Sequence, residues 1–170
     1  MPLPRAPDSV PTIPQLKLAP GDMAPDFTAP GSNGTAIRLS DFRGEYVVLY
    51  FYPRDDTPGC TKEACGIRDE YAALKKSGAI VLGVSADSVR SHDKFARKYK
   101  LPFTLVADVD KTIAKAYGAW GPKQFLGIKF KGIYRVTFLI DPGGRIQMIW
   151  PQVRPTEHAR EILAELTARK

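Results

Sequence analysis

Two cysteines, Cys60 and Cys65, stand in the run Pro53-Arg54-Asp55-Asp56-Thr57-Pro58-Gly59-Cys60-Thr61-Lys62-Glu63-Ala64-Cys65. A thiol reacts as its thiolate, which is favoured where unpaired N–H groups and the positive end of a helix dipole meet the sulfur. Cys60 falls at such a place, the first turn of a helix, and is the expected nucleophile. Ionisation alone achieves little. A free thiol of pKa about 8.5 is already about 7% ionised at pH 7.4, so complete ionisation adds little more than about tenfold, and a less basic thiolate is a weaker nucleophile. Most of any rate must come from donors that stabilise the breaking bond and the departing atom. Thr57 offers a hydroxyl, and the N–H groups near Gly59 and Cys60 offer more. Spacing alone identifies no cation.

These residues leave several readings open. Cys60 and Cys65 could be inert buried thiols. They could be half of a zinc site, which would need two further ligands, and His92 and His158 are remote and not paired at a ligand spacing. A thiol-disulfide oxidoreductase would want a CxxC at the helix start, whereas the spacing here has two extra residues. A redox sensor that signals rather than turns over could use the same pair. His92 is expected to be a packed residue on the inner face of its helix, and His158 an exposed one in the first turn of the last helix.

The elements that must position the cysteines follow from periodicity. Tyr46 to Tyr52 (YVVLYFY) reads as a strand buried on both faces, ended by Pro53. Thr61 to Ser77 reads as one helix with Ala64, Ile67, Tyr71 and Leu74 inward and Gly78 as its stop. Ala79 to Ala86 is the next strand, Ser88 caps a helix through about Tyr99, and Thr104 to Ala107 is a third strand. A small helix over Thr112 to Tyr117 leads into a Gly-rich aromatic loop, Gly118 to Gly132. Arg135 to Ile140 and Arg145 to Trp150 form a hairpin, and a helix runs from about Thr156 to Ala168. With two short strands between Asp26 and Leu39 in front, the order predicts an α/β fold, a thioredoxin-like three-layer α/β/α sandwich with an N-terminal β-hairpin.

The 170 residues, 44% of them hydrophobic, suffice for one core and are too few for two enzymes. One domain over residues 21–170 is expected, preceded by a Pro-rich, flexible tail over residues 1–20 that holds six prolines. No apolar run has the length of a secretory or membrane-spanning segment, so the expected compartment is the cytoplasm, with no membrane partner. The net charge of +7 is assigned to solvated helix faces such as Arg90 to Lys100 rather than to nucleic-acid binding.

The chain resembles the peroxiredoxins, which carry a Pro, three residues, Thr or Ser, two residues and Cys, matched here by Pro53, Thr57 and Cys60. It is most similar to the peroxiredoxin Q, or bacterioferritin comigratory protein, branch, through GDMAPDF, TPGCTKEACGIRDEY, DKFARKYKLPF, AYGAWG and GIYRVTFLID. The resemblance implies a catalytic Arg at Arg135, just before the TFLID strand, holding Cys60 as thiolate and binding peroxide oxygens. It implies Pro53, Pro58 and Gly59 as the active-site loop and Cys65 as a resolving cysteine in the same chain. The implied cycle reduces hydrogen peroxide and organic hydroperoxides with no cofactor and no metal, and thioredoxin or a similar dithiol restores the enzyme. An internal resolving cysteine removes the catalytic need for a partner subunit, so a monomer is expected. Were residues 60 to 65 helical, their Cα atoms would stand about 8 to 9 Å apart, more than the roughly 7 Å that a disulfide accepts. The helix start must then melt before Cys65 reaches Cys60, which Gly66 eases.

Overall fold

The computed structural model describes residues 16–168, so most of the Pro-rich segment, residues 1–15, lies outside the described residues. The strands are β1 (Thr28–Pro30), β2 (Ala36–Arg38), β3 (Tyr46–Phe51), β4 (Ala79–Ser85), β5 (Thr104–Ala107), β6 (Trp120–Phe125), β7 (Ile128–Ile133), β8 (Val136–Ile140) and β9 (Ile146–Trp150). The helices are α1 (Pro58–Asp69), α2 (Tyr71–Lys76), α3 (Val89–Tyr99), α4 (Thr112–Ala116) and α5 (His158–Ala168).

The central sheet has the order β5-β4-β3-β8-β9, with β3, β4 and β5 parallel and β8 and β9 antiparallel to their neighbours. β3 lies in the middle because side chains alternate across a strand and both of its sets are apolar. Val47, Leu49 and Phe51 pack into one core with α4, β2 and the chain before β1. Val48, Tyr50 and Tyr52 pack into the other, with Ala64 and Ile67 of α1, Leu74 of α2, Phe95 of α3 and Ile162 and Leu166 of α5. The N-terminal hairpin β1–β2 lies on the α4 side, where Ile37 joins the core. This is the thioredoxin-like α/β/α sandwich that the element order predicts.

Three local expectations are corrected. The helix expected over Thr61 to Ser77 is two, because Glu70 leaves helical geometry (φ −100°, ψ 5°) between α1 and α2. α1 also begins earlier, at Pro58, whose missing N–H costs nothing at a helix start. The segment Gly118 to Gly132 is not a loop: β6 and β7 pair as a separate hairpin, closed by Leu126 and Gly127 at φ 51° and 78°. Its strands contain Pro122, Gly121 and Gly132 and no β-branched run, so they lack the usual strand signal. Gly121 is required because a Cβ there would meet the Tyr134 hydroxyl at 2.7 Å.

His158 is fully buried rather than exposed. It sits one turn before Ile162 and two before Leu166 on the inward face of α5, against Thr137 of β8, and its ring meets Trp150 edge-on at 5.4 Å. Its imidazole is hydrogen-bonded through Nε2 to the Thr137 hydroxyl at 2.7 Å. Burial, helped by the nearby Arg135 charge, lowers its pKa to about 4.

Candidate active site

The chain leaves β3 through Tyr52 and reaches α1 through residues 53–57, and two consecutive aspartates tie this loop to α3. The Tyr52 hydroxyl donates to Asp55 Oδ1 at 2.6 Å, the Ser91 hydroxyl donates to Oδ2 at 2.8 Å, and His92 Nδ1 lies 2.8 Å from Oδ2. His92 Nε2 faces the Val106 carbonyl at 2.9 Å, and since a carbonyl only accepts, Nε2 carries a proton. His92 is thus a packed residue that holds the loop. Asp56, at φ 58°, accepts from Lys98 Nζ at 2.7 Å and from the Tyr99 hydroxyl at 2.8 Å. Ser88 caps the N-terminus of α3 by accepting from Ser91 N–H at 3.1 Å. The chain entering α1 is therefore held from α3 by buried and half-exposed contacts together.

Thr57 is the N-cap of α1 but makes no side-chain cap bond; its hydroxyl donates to the Arg54 carbonyl at 3.0 Å. Thr61 N–H takes the Thr57 carbonyl at 2.8 Å. Pro58 has no N–H, so the open donors of the first turn are those of Gly59 and Cys60. Cys60 stands among them with its side chain buried, and both it and Cys65 are free thiols. The Thr57 hydroxyl, expected to serve as a donor beside Cys60, is turned to the loop backbone instead.

The cation that spacing could not identify comes from the start of β8, the strand paired with β3 in the centre of the sheet. Arg135, just before β8, donates from Nη2 to Cys60 Sγ at 3.3 Å and from Nη1 to Glu63 Oε1 at 2.9 Å. Glu63 lies one turn along α1 from Cys60, so a single guanidinium bridges two adjacent positions of one helix face. The fork is a planar donor set that can hold both partners at once. Burial works against the Arg135 charge, but Glu63 and Cys60 outweigh it and raise its pKa. Gly59 makes the approach possible: a Cβ there would stand 3.1 Å from Arg135 Nη2 and 3.9 Å from Pro155 Cγ.

Glu63 is a site residue that the sequence reading does not single out. Its side chain is 0% exposed, and its Oε2 has no hydrogen-bond partner among the described residues. Burial pushes its pKa up to about 7 even though Arg135 pulls it down. A Glu on an otherwise apolar helix face, three residues after a nucleophilic Cys, is the signal that could have found it. Lys123 of β6 is a further cation near the site; its Nζ donates to the Ile133 carbonyl at 2.9 Å, and burial lowers its pKa, with the Arg135 charge adding to this.

The structure thus brings Cys60, Glu63 and Arg135 into direct contact, with Thr57 and Gly59 adjacent along the chain. It leaves Cys65 on α1, half-buried and a full helical turn beyond Cys60. Of the described residues, the His, Cys, Asp and Glu side chains near enough to share a metal are Asp55, Asp87 and His92, and neither cysteine is among them.

Residues 20–149 match the AhpC/TSA family. The chain is 49% identical to a putative peroxiredoxin bcp of Coxiella burnetii over 89% of its own length and 100% of that protein. It is 44% identical to peroxiredoxin Bcp of Bacillus subtilis over 86% of its length and 93% of that protein. Among solved structures, the bacterioferritin comigratory protein of Xanthomonas campestris superposes with a TM-score of 0.82 at 37% identity, covering 91% of this chain and 99% of that one. Peroxidoxin BcpB of Mycobacterium tuberculosis gives 0.80 at 35% identity, covering 90% and 99%.

Proposed function

This chain belongs to the AhpC/TSA family, in the peroxiredoxin Q branch, and from that premise we propose that it reduces hydroperoxides through Cys60 and closes a disulfide from Cys60 to Cys65. The observation that carries the assignment of Cys60 is the Arg135 guanidinium 3.3 Å from its sulfur, anchored on its other arm by Glu63. A buried cysteine in a purely apolar setting would be inert. This one is paired with a fixed cation and stands at a helix start whose N–H groups no side chain caps.

In the first step the Cys60 thiolate gives an electron pair to one peroxide oxygen and the O–O bond breaks. The departing oxygen takes up a proton and leaves as water or an alcohol, and the cysteine becomes a sulfenic acid, oxidised by two electrons. Arg135 and the Gly59 and Cys60 N–H groups are the donors available to the oxygens as charge moves onto them. Thr57 serves by reorienting its hydroxyl from Arg54 toward the bound peroxide.

In the second step Cys65 attacks the sulfenic sulfur, an S–S bond forms and water leaves. Because Cys60 and Cys65 both lie within α1, their Cα atoms are about 8 to 9 Å apart, beyond disulfide reach, so the first turns of α1 unwind. An external dithiol, thioredoxin or one like it, then reduces the disulfide and is itself oxidised. Pro53 and Pro58 bound the loop that presents Thr57 and Gly59. Residues 21–170 act as one domain and as a monomer, in a compartment such as the cytoplasm that keeps a dithiol reduced.

The test is peroxide consumption coupled to thioredoxin, its reductase and NADPH. The proposal expects turnover that Cys60→Ser abolishes. Stoichiometric oxidation without turnover would favour a sensor.

A further inference from the structure

The net charge of +7 is unevenly placed. Between Asp110 and Asp141 there is no acidic residue, whereas Lys111, Lys115, Lys123, Lys129, Lys131 and Arg135 all lie there. Two of these lysines, Lys129 and Lys131, are exposed on the β6–β7 hairpin just after its tip Phe125-Leu126-Gly127-Ile128, on the ribbon face opposite Phe125 and Ile128, whereas Lys123 is half-buried and donates inward to the Ile133 carbonyl. The tip is the largest apolar exposure among the described residues, with Phe125 67%, Leu126 85% and Ile128 68% exposed and Phe130 behind them at 45%. Register sets Phe125 opposite Ile128 and Lys123 opposite Phe130, so the apolar side chains share one face and lead into the turn.

Folding does not account for this arrangement. A two-residue turn with both φ values positive favours Asn-Gly, yet Leu126 occupies the first position at φ 51° and is 85% exposed. A sequence that breaks a local rule with no packing gain marks a functional surface, and a contiguous exposed apolar patch marks an interaction site.

We propose that the β6–β7 hairpin docks the protein on an anionic lipid bilayer, the tip entering the headgroup region and the lysines pairing with lipid phosphates. Nucleic acid would engage the lysines and stack on Phe125, but it gives no role to the exposed aliphatic side chains of Leu126 and Ile128. A second copy would bring like charge against like. A protein partner would need a pocket shaped to the tip, whereas a bilayer yields to it. None of the described helices is long and apolar enough to cross a membrane, and surface docking needs none. Strand β7 runs through Tyr134 directly into Arg135, so a docked tip holds the Cys60 site within about 20 Å of the bilayer, the length of a six-residue strand.

The test is sedimentation of the full chain with phosphatidylcholine vesicles and with vesicles of equal phosphatidylcholine and phosphatidylglycerol, at low and high salt. Binding is expected to the anionic vesicles alone. Lys129→Gln and Lys131→Gln should each weaken it about fivefold, the factor for one lysine at an anionic surface. Leu126→Asn removes the most exposed apolar side chain of the tip while giving the turn its preferred residue, and should weaken binding about tenfold, from that side chain's lost burial. Thermal melts confirm that the variants stay folded, and Phe125→Ser replaces any that does not. Absence of binding to anionic vesicles overturns the proposal. So does binding that the lysine changes reduce and the tip changes leave intact, since that is adsorption by net charge alone. Tighter retention on a single-stranded oligonucleotide than on vesicles reassigns the patch and also overturns it.

Discussion

Replacing Glu63 by Gln tests the most unusual group of the site. The amide oxygen can still accept from Arg135 Nη1, now at 2.9 Å from Glu63 Oε1, while the buried charge is removed. The folded-state pKa of Glu63 stands at about 7 against an ordinary 4.5, with burial as the main cause. A carboxyl whose pKa is raised on folding stabilises the fold below its unfolded value, and that contribution is lost as pH climbs through the folded value. Each pH unit of separation is worth about 1.4 kcal/mol, so the whole window costs the native state about 3 kcal/mol. Most of that loss, about 2 to 3 kcal/mol, falls between pH 5 and pH 8. Urea unfolding of the parent and of Glu63→Gln at both values singles out this site, because the titrations of groups remote from Arg135 cancel in the difference. The variant should gain about 2 to 3 kcal/mol relative to the parent on going from pH 5 to pH 8. A difference that does not change with pH would refute the reading of Glu63 as a carboxyl strained by burial.

Other substitutions probe the remaining contacts. His158 has the opposite sign: its pKa is lowered to about 4, so its stabilisation is complete above about 6.5 and is lost as pH falls through 4. His158→Gln should therefore lose less stability on acidification than the parent, by about 3 kcal/mol over that window, and equal acid sensitivity in urea titrations would contradict this. Gly59→Ala places a methyl 3.1 Å from Arg135 Nη2 and should lower the rate of Cys60 oxidation at least about tenfold with little change in melting temperature; stopped-flow fluorescence measures it. Cys65→Ser should react once with peroxide and then stall, and unimpaired turnover with thioredoxin would show Cys65 to be dispensable.

The central layers were legible because their signals are local. The run from Tyr46 to Tyr52 is apolar on both faces and became the middle strand of the sheet, and Ser88 capped α3 as its type predicts. The first turn of α1 was legible from the run around Cys60, although Pro58 started it three residues earlier than the periodicity indicated. What escaped depends on distant partners. Glu63 has a meaning only through Arg135, 72 residues away, and Arg135 itself was found by likeness to a family rather than by its surroundings. The β6–β7 hairpin was missed because its strands pair with each other and bury little, so they show no alternation. His158 was misjudged because a histidine near a helix start is usually solvated, and its burial is decided by Thr137 and Trp150.

Intact mass after one equivalent of peroxide is the most direct check on the claim that Cys60 is oxidised and Cys65 resolves it. A loss of about two daltons, the two thiol hydrogens of a closing disulfide, is the expected result. An unchanged mass with peroxide left unconsumed, or a gain of about sixteen that persists in the parent chain, would contradict it.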